Sequence, residues 1–182
     1  MSKSKLSILT EIAIFSAIAL VFDKLPLFTM PQGGSVSLVM LPILLVALRH
    51  GMTTGLLTGG IVGTIQLFYG GYFLNIFQVF LDYALSYAGI GLAGLVSPLL
   101  RKPKDLKEAS LIISLSGLLG ASIRLLATFL SGIIFYADYA TPGTPVWLYS
   151  FTYNISYILP STIIACFLLI LLFKAQPNFF KK

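Results

Sequence analysis

The sequence predicts an all-α, polytopic integral membrane protein, and three observations carry that prediction. Hydrophobic residues make up 57% of the 182 and charged residues only 10%, against roughly 25% charged in an ordinary soluble domain. Mean hydropathy is +0.94. The apolar residues gather into stretches close to the about 20 that a helix needs to cross a hydrocarbon core of about 30 Å. Such a chain is too apolar for water and too long to be one buried core. A net charge of +6 would suggest nucleic acid in a soluble protein. Here it reads as loop charge that sets orientation, with a lipid bilayer and no nucleic acid as partner.

Six spans are expected, over residues 6–22, 36–48, 52–69, 72–97, 110–137 and 147–173. The first follows Lys3 and Lys5 and contains Ala17-Ile18-Ala19, which matches a signal-peptide cleavage pattern. Glu11 lies inside the stretch and five more spans follow, so it is read as a retained helix. The second is short and crosses only if its neighbours or a re-entrant segment complete it. The third repeats Gly55, Gly59 and Gly63 at GxxxG spacing, which lets another helix of the same chain approach closely. The fourth carries Asp82, the fifth Arg124 and the sixth a row of polar residues. With no linker longer than about 13 residues, no low-complexity segment and no repeat, residues 1–182 read as a single membrane domain.

Basic residues set the expected topology. With the N-terminus inside, Lys3, Lys5, Arg49, Arg101, Lys102, Lys104, Lys107, Lys174, Lys181 and Lys182 are cytoplasmic, and only Lys24 faces out. Both termini are then cytoplasmic in a multi-pass cell-membrane protein. The outer loops Asp23–Ser35, Tyr69-Gly70-Gly71 and Tyr136–Val146 are rich in Gly, Pro and aromatics and almost free of basic residues. That asymmetry places recognition outside.

Ionisable residues within spans are costly and face the bundle interior. Glu11, near the start of its helix, is placed at headgroup level; Asp82 and Arg124 lie deeper. Asp82 is ten residues past Tyr72, so about 15 Å along a helix. Asn75, Gln78, Asp82 and Ser86 share one helical face, as do Gly117, Gly120, Arg124, Thr128 and Ser131. The sixth span adds Ser150, Asn154, Tyr157 and Ser161. Three polar faces of this kind should meet inside the bundle.

Two readings of these residues stand side by side. Asp82 and Arg124 form either a structural ion pair that fixes helix register or part of a substrate path. Asn154 alone reads as an interhelical hydrogen bond. Tyr136, Tyr139, Trp147, Tyr149 and Tyr153 around one outer loop, and Phe68, Tyr69, Tyr72 and Phe73 around another, suit an interfacial aromatic belt. Aromatic rings beside a buried carboxylate also suit a flat organic cation or amino-heterocycle.

Other chemistries find no residues. One cysteine, Cys166, excludes an internal disulfide and a Cys-rich metal site, and one histidine, His50, leaves a His-based zinc or haem site without most of its ligands. No G-x-x-x-x-G-K-[ST] occurs, so the chain has no P-loop of its own. His50, in the Arg49-His50-Gly51 turn, reads as a solvated loop residue with no nucleophile beside it. An enzyme is not expected. A secondary transporter is harder to exclude, although six spans without inverted repeats match that class poorly, and a channel would need a pore lining that the sequence does not show.

The segments MPQGGSVSLVMLPILLVALRHG, LDYALSYAGIGLAG and GTPVWLYSFTYN, in this order, resemble the thiamine-specific S components of energy-coupling-factor (ECF) transporters, the YuaJ/ThiT family. The resemblance covers residues 6–175, and GTPVWLYSFTYN is its most specific part. It implies a six-helix subunit that binds thiamine in an outward-facing pocket. Transport would then depend on a transmembrane coupling subunit and two ATPase subunits, which would use ATP while this chain needs no cofactor. Ala13 and Ala17 match the AxxxA that contacts the coupling subunit in such families.

By the same resemblance, Asp82 matches the acid that binds the aminopyrimidine of thiamine, and Tyr83 is its neighbour in that motif. Tyr149 and Asn154 match the Tyr and Asn of the sixth-helix motif that contacts the ring system. Tyr136 occupies the position that stacks on the thiazolium, with Trp147 a further candidate for enclosing it, and Arg124 matches a basic position near the acid. Thr128 stands where relatives often have histidine, Gly33-Gly34 where some have tryptophan, and Asp82 where the acid is Glu. A stand-alone proton-coupled carrier of thiamine or its hydroxymethylpyrimidine precursor is the alternative, with Asp82 as the proton site.

Overall fold

The computed structural model describes residues 3–69, 71–101 and 103–180. Lys102, Lys181 and Lys182 of the expected inner charges, and Gly70 of the expected short outer turn, lie outside the described residues. Six helical segments follow one another: α1 (Lys3–Lys24), α2 (Met40–His50), α3 (Met52–Phe68), α4 (Ile76–Leu100), α5 (Leu106–Phe135) and α6 (Val146–Ala175). Single 3₁₀ turns cover Ala137–Tyr139 and Pro177–Phe180. Four helices, α1, α4, α5 and α6, are long and apolar enough to cross a membrane, whereas α2 and α3 are shorter.

Large side chains such as Leu9, Ile14 and Val21 on α1, Leu111, Leu115 and Leu118 on α5, and Ile163, Phe167 and Leu171 on α6 are exposed. An outer surface this apolar is favourable only in lipid. The chain is an all-α integral membrane protein.

The short α2 is the most enclosed element. Met40, Ile43, Leu44, Leu45, Val46, Ala47 and Leu48 are all buried, so the helix is apolar all round, as a helix surrounded by others must be. It packs against α1, α3, α4 and α6. Its 11 residues reach only about 16 Å. Helix α3 packs along α4 because Gly59 and Gly63 present no side chain. A Cβ there would lie 2.1 Å from the Tyr87 carbonyl oxygen and 2.2 Å from that of Tyr83. The GxxxG stripe therefore joins two helices of this chain.

Three local features depart from the expectation. The loop after α1 contains a two-stranded antiparallel hairpin, β1 (Phe28–Thr29) and β2 (Ser35–Val36), with Phe28 opposite Val36. Gly33, at φ +87°, supplies its turn. Helix α4 is not uniform: Phe80–Leu85 is a π-helical turn and Gly91–Val96 a 3₁₀ stretch. Asn75 does not extend the polar stripe into the bundle. It caps α4, its Oδ1 accepting from the Phe77 and Gln78 amides at 2.9 and 3.0 Å.

His50 also stands differently from its sequence reading, through a contact with Glu11. The Glu11 carboxylate takes Arg49 Nε at 2.8 Å and His50 Nε2 at 2.7 Å, joining α1 to the last turn of α2. The His50 side chain is 4% exposed, so it is not a solvated loop residue. Arg49 also lies over the Phe179 ring at 4.0 Å and donates to the Phe179 carbonyl. The end of the chain is thereby drawn into the same cluster.

Candidate binding cavity

At the opposite end of the bundle from Glu11 and Arg49, the three predicted polar faces meet around a cavity of about 320 Å³. Helix α4 contributes Asp82, Tyr83, Ser86 and Tyr87; α5 contributes Arg124, Thr128 and Gly132; α6 contributes Tyr149, Ser150, Tyr153, Asn154 and Tyr157. The hairpin loop adds Thr29, Gln32, Gly33, Gly34 and Ser35, Asp23 and Lys24 come from the end of α1, and Tyr136 and Tyr139 follow α5.

Asp82 sits in the π-turn of α4. Gln78 Nε2 donates to its Oδ2 at 2.7 Å, and the Tyr136 hydroxyl donates to the same oxygen at 3.2 Å. Gln78 is wholly buried, and its Oε1 accepts from the Leu74 amide at 3.1 Å. One side chain thus ties the acid to the segment that precedes α4. Next to it, the Tyr83 oxygen accepts from the Tyr72 amide at 2.7 Å.

Along α6 the tyrosines at spacing four form a continuous row. The rings of Tyr149 and Tyr153 stack at 5.9 Å between centroids, and those of Tyr153 and Tyr157 meet edge-on at 5.8 Å. The Tyr153 oxygen accepts from the Gly34 amide at 3.0 Å and so holds the hairpin over the cavity. A Cβ at Gly34 would lie 2.8 Å from the Tyr157 ring, which is why the loop can come so near. Beneath it, Ser161 Oγ accepts from the Ser37 amide at 3.2 Å.

Asn154 lines the cavity and is also tied into the helices. Its Nδ2 donates to the Ser150 carbonyl at 2.8 Å and to that of Thr128 at 3.4 Å, and its Oδ1 accepts from the Tyr157 hydroxyl at 2.6 Å. It is therefore an interhelical bond and a cavity residue at once.

Of the residues singled out from sequence, Asp82, Tyr83, Arg124, Tyr136, Tyr149 and Asn154 all line this cavity. Trp147 does not; it is 56% exposed. Ala13 and Ala17 lie together on an exposed face of α1. The expected Asp82–Arg124 ion pair is not formed: among the described residues Arg124 has no carboxylate within 4.0 Å. Arg124 instead lies over the ring of Tyr87 at 4.9 Å and near that of Tyr157 at 5.9 Å. Gln66, Tyr87, Tyr153 and Tyr157 were not singled out as binding residues, yet they line the cavity. The spacing of four from Tyr149 through Tyr153 to Tyr157 was the available signal for two of them.

Comparison with known proteins bears on the whole chain. Residues 9–181 match the family described as thiamine transporter protein (Thia_YuaJ). The thiamine transporter ThiT of Bacillus subtilis (strain 168) is 40% identical over 179 residues, which cover 95% of this chain and 93% of that protein. The thiamine transporter ThiT of Lacticaseibacillus paracasei is 27% identical over 183 residues, covering 97% and 91%. The solved structure of ThiT from Listeria monocytogenes superposes with a TM-score of 0.90 at 27% identity, covering 98% of this chain and 99% of that one. The helical scaffold, the cavity at one end of it and this match over nearly the full length agree, and the chain belongs to the thiamine transporter (Thia_YuaJ) family.

Proposed function

We propose that this chain captures thiamine from outside the cell in the cavity around Asp82. The carrying observation is a carboxylate held inside a wall of tyrosines. Thiamine offers an amino group and a flat cation; a carboxylate accepts from the first, and ring faces attract the second. Asp82 takes the aminopyrimidine together with Asn154. Gln78 and Tyr136 fix the carboxylate through Oδ2, and the ligand's amino group adds its hydrogen bond to the same acid. Tyr136, Tyr149 and Tyr83 enclose the rings.

The orientation that fits this role has six spans, both termini cytoplasmic and the cavity facing out. The cavity end then coincides with the loops that are poor in basic residues. The chain acts as the S component of an ECF-type importer, working with a transmembrane coupling subunit and two ATPase subunits that use ATP. Support comes from the lack of a P-loop in the sequence and from the exposed Ala13/Ala17 face, which admits a close helix partner.

Calorimetric titration of the purified protein in detergent tests the binding step. Saturable thiamine binding is expected, weakened about tenfold to a hundredfold by Asp82→Asn, the worth of a hydrogen bond to a charged group. Absence of thiamine binding overturns the proposal. Preference for hydroxymethylpyrimidine would change the substrate. Uptake into liposomes that needs no ATPase partner and collapses with an uncoupler would replace the ECF reading with a proton-coupled carrier.

A further inference from the structure

Arg124 is not used by the binding scheme above, and its surroundings are unusual for a buried cation. It is 6% exposed and lines the cavity. Its Nε has no hydrogen-bond partner. Among the described residues its one hydrogen bond to a side chain, from Nη2 to the Tyr87 oxygen, is long at 3.5 Å. The remaining contacts are the faces of two neutral rings. A guanidinium removed from water requires charge compensation as well as ring contacts.

The acidic residues that line the cavity are Asp23 and Asp82. Asp23 is at the mouth beside Lys24, and Asp82 is bound to Gln78 and Tyr136. Formal charges in the lining therefore cancel: Asp23 against Lys24, and Asp82 against Arg124 across the cavity. A univalent organic cation seated on Asp82 breaks that balance. It leaves one buried positive charge uncompensated, on Arg124, whose Nε has no hydrogen-bond partner.

We infer that the cavity is a two-ion site, in which the organic cation on Asp82 is bound together with a small anion held by Arg124. The inference rests on the thiamine reading for its cation and on the placement of Arg124 for its anion. In ordinary media the anion is chloride. The phosphoryl group of a thiamine phosphate would supply the same chemistry from the ligand itself. Because each ion offsets the charge that the other leaves buried, their binding is coupled, and each tightens the other by the same factor.

The test is calorimetry on the full chain in detergent, with thiamine as its gluconate salt and chloride exchanged for gluconate at constant ionic strength. Thiamine affinity is expected to rise saturably with chloride, by roughly tenfold. The ratio of affinities with and without chloride should fall to one in Arg124→Gln and persist in Arg124→Lys. If chloride has no effect but thiamine monophosphate binds more tightly than thiamine, and Arg124→Gln removes that preference, the anion is the ligand's own phosphoryl group. A wild-type affinity indifferent to both overturns the inference, whether or not the variants fold. Should thiamine fail to bind at all, chloride-35 NMR reads the anion site by itself. Line broadening by the wild type and not by Arg124→Gln upholds the site while the thiamine reading falls; no broadening overturns it.

Discussion

Tyr136 shows how much one side chain contributes to the site. Its hydroxyl donates to Asp82, and its ring faces the cavity. Tyr136→Phe removes the first contribution and keeps the second. The expected loss is about 1 kcal/mol, or a fivefold weaker thiamine titration. Tyr136→Ala should lose more, because the ring goes as well. Gln78→Leu probes the same acid from the other side. It leaves the Leu74 amide and Asp82 each short of a partner, so it should weaken thiamine binding by roughly tenfold or more. An unchanged titration would mean that Asp82 needs no fixing.

At the scale of an element, the contact between α3 and α4 decides where Asp82 stands. Gly59 and Gly63 bring the two backbones together beside Tyr87 and Tyr83, and the π-turn that carries Asp82 lies on the same helix. A π-turn inserts an extra residue into the helical ladder and turns the following side chains, a distortion found often at functional sites. Gly59→Ala drives a methyl into the Tyr87 carbonyl and should cost about 1–3 kcal/mol. Gly60 has nothing within 4 Å of its would-be Cβ. Gly60→Ala should therefore be neutral or stabilising by up to about 1 kcal/mol, from helix propensity alone. Thermal unfolding of the two variants in detergent gives the comparison, and equal shifts would contradict the packing.

For the whole molecule, the cluster of Glu11, Arg49, His50 and Phe179 ties both ends of the chain to the central helix α2. Its ionic groups are less than a fifth exposed. Glu11→Gln should destabilise by about 2 kcal/mol, seen as a lower unfolding temperature with the cavity's thiamine affinity little changed. Membrane orientation is tested in a Cys166→Ser background. Lys104→Cys should react with an impermeant maleimide only from the cytoplasmic side, and Thr141→Cys only from outside. The reverse pattern would turn the cavity inward and end the capture role.

The amino-acid sequence by itself determined the membrane class, the six helical segments to within a few residues, and the three polar faces that meet. It could do so because lipid forces backbone bonds inside each helix and leaves periodicity to sort polar from apolar faces. Asp82, Arg124, Asn154 and the tyrosines were therefore legible as a set. Tertiary structure alone decided how they pair. Asp82 stands on a π-turn, and Arg124 lies over the Tyr87 ring rather than against the acid; neither has a signal in helical spacing. The same holds for His50, which stood in a turn by sequence but lies against Glu11, 39 residues earlier. Local pattern fixes which face a residue occupies; only packing fixes what lies opposite it.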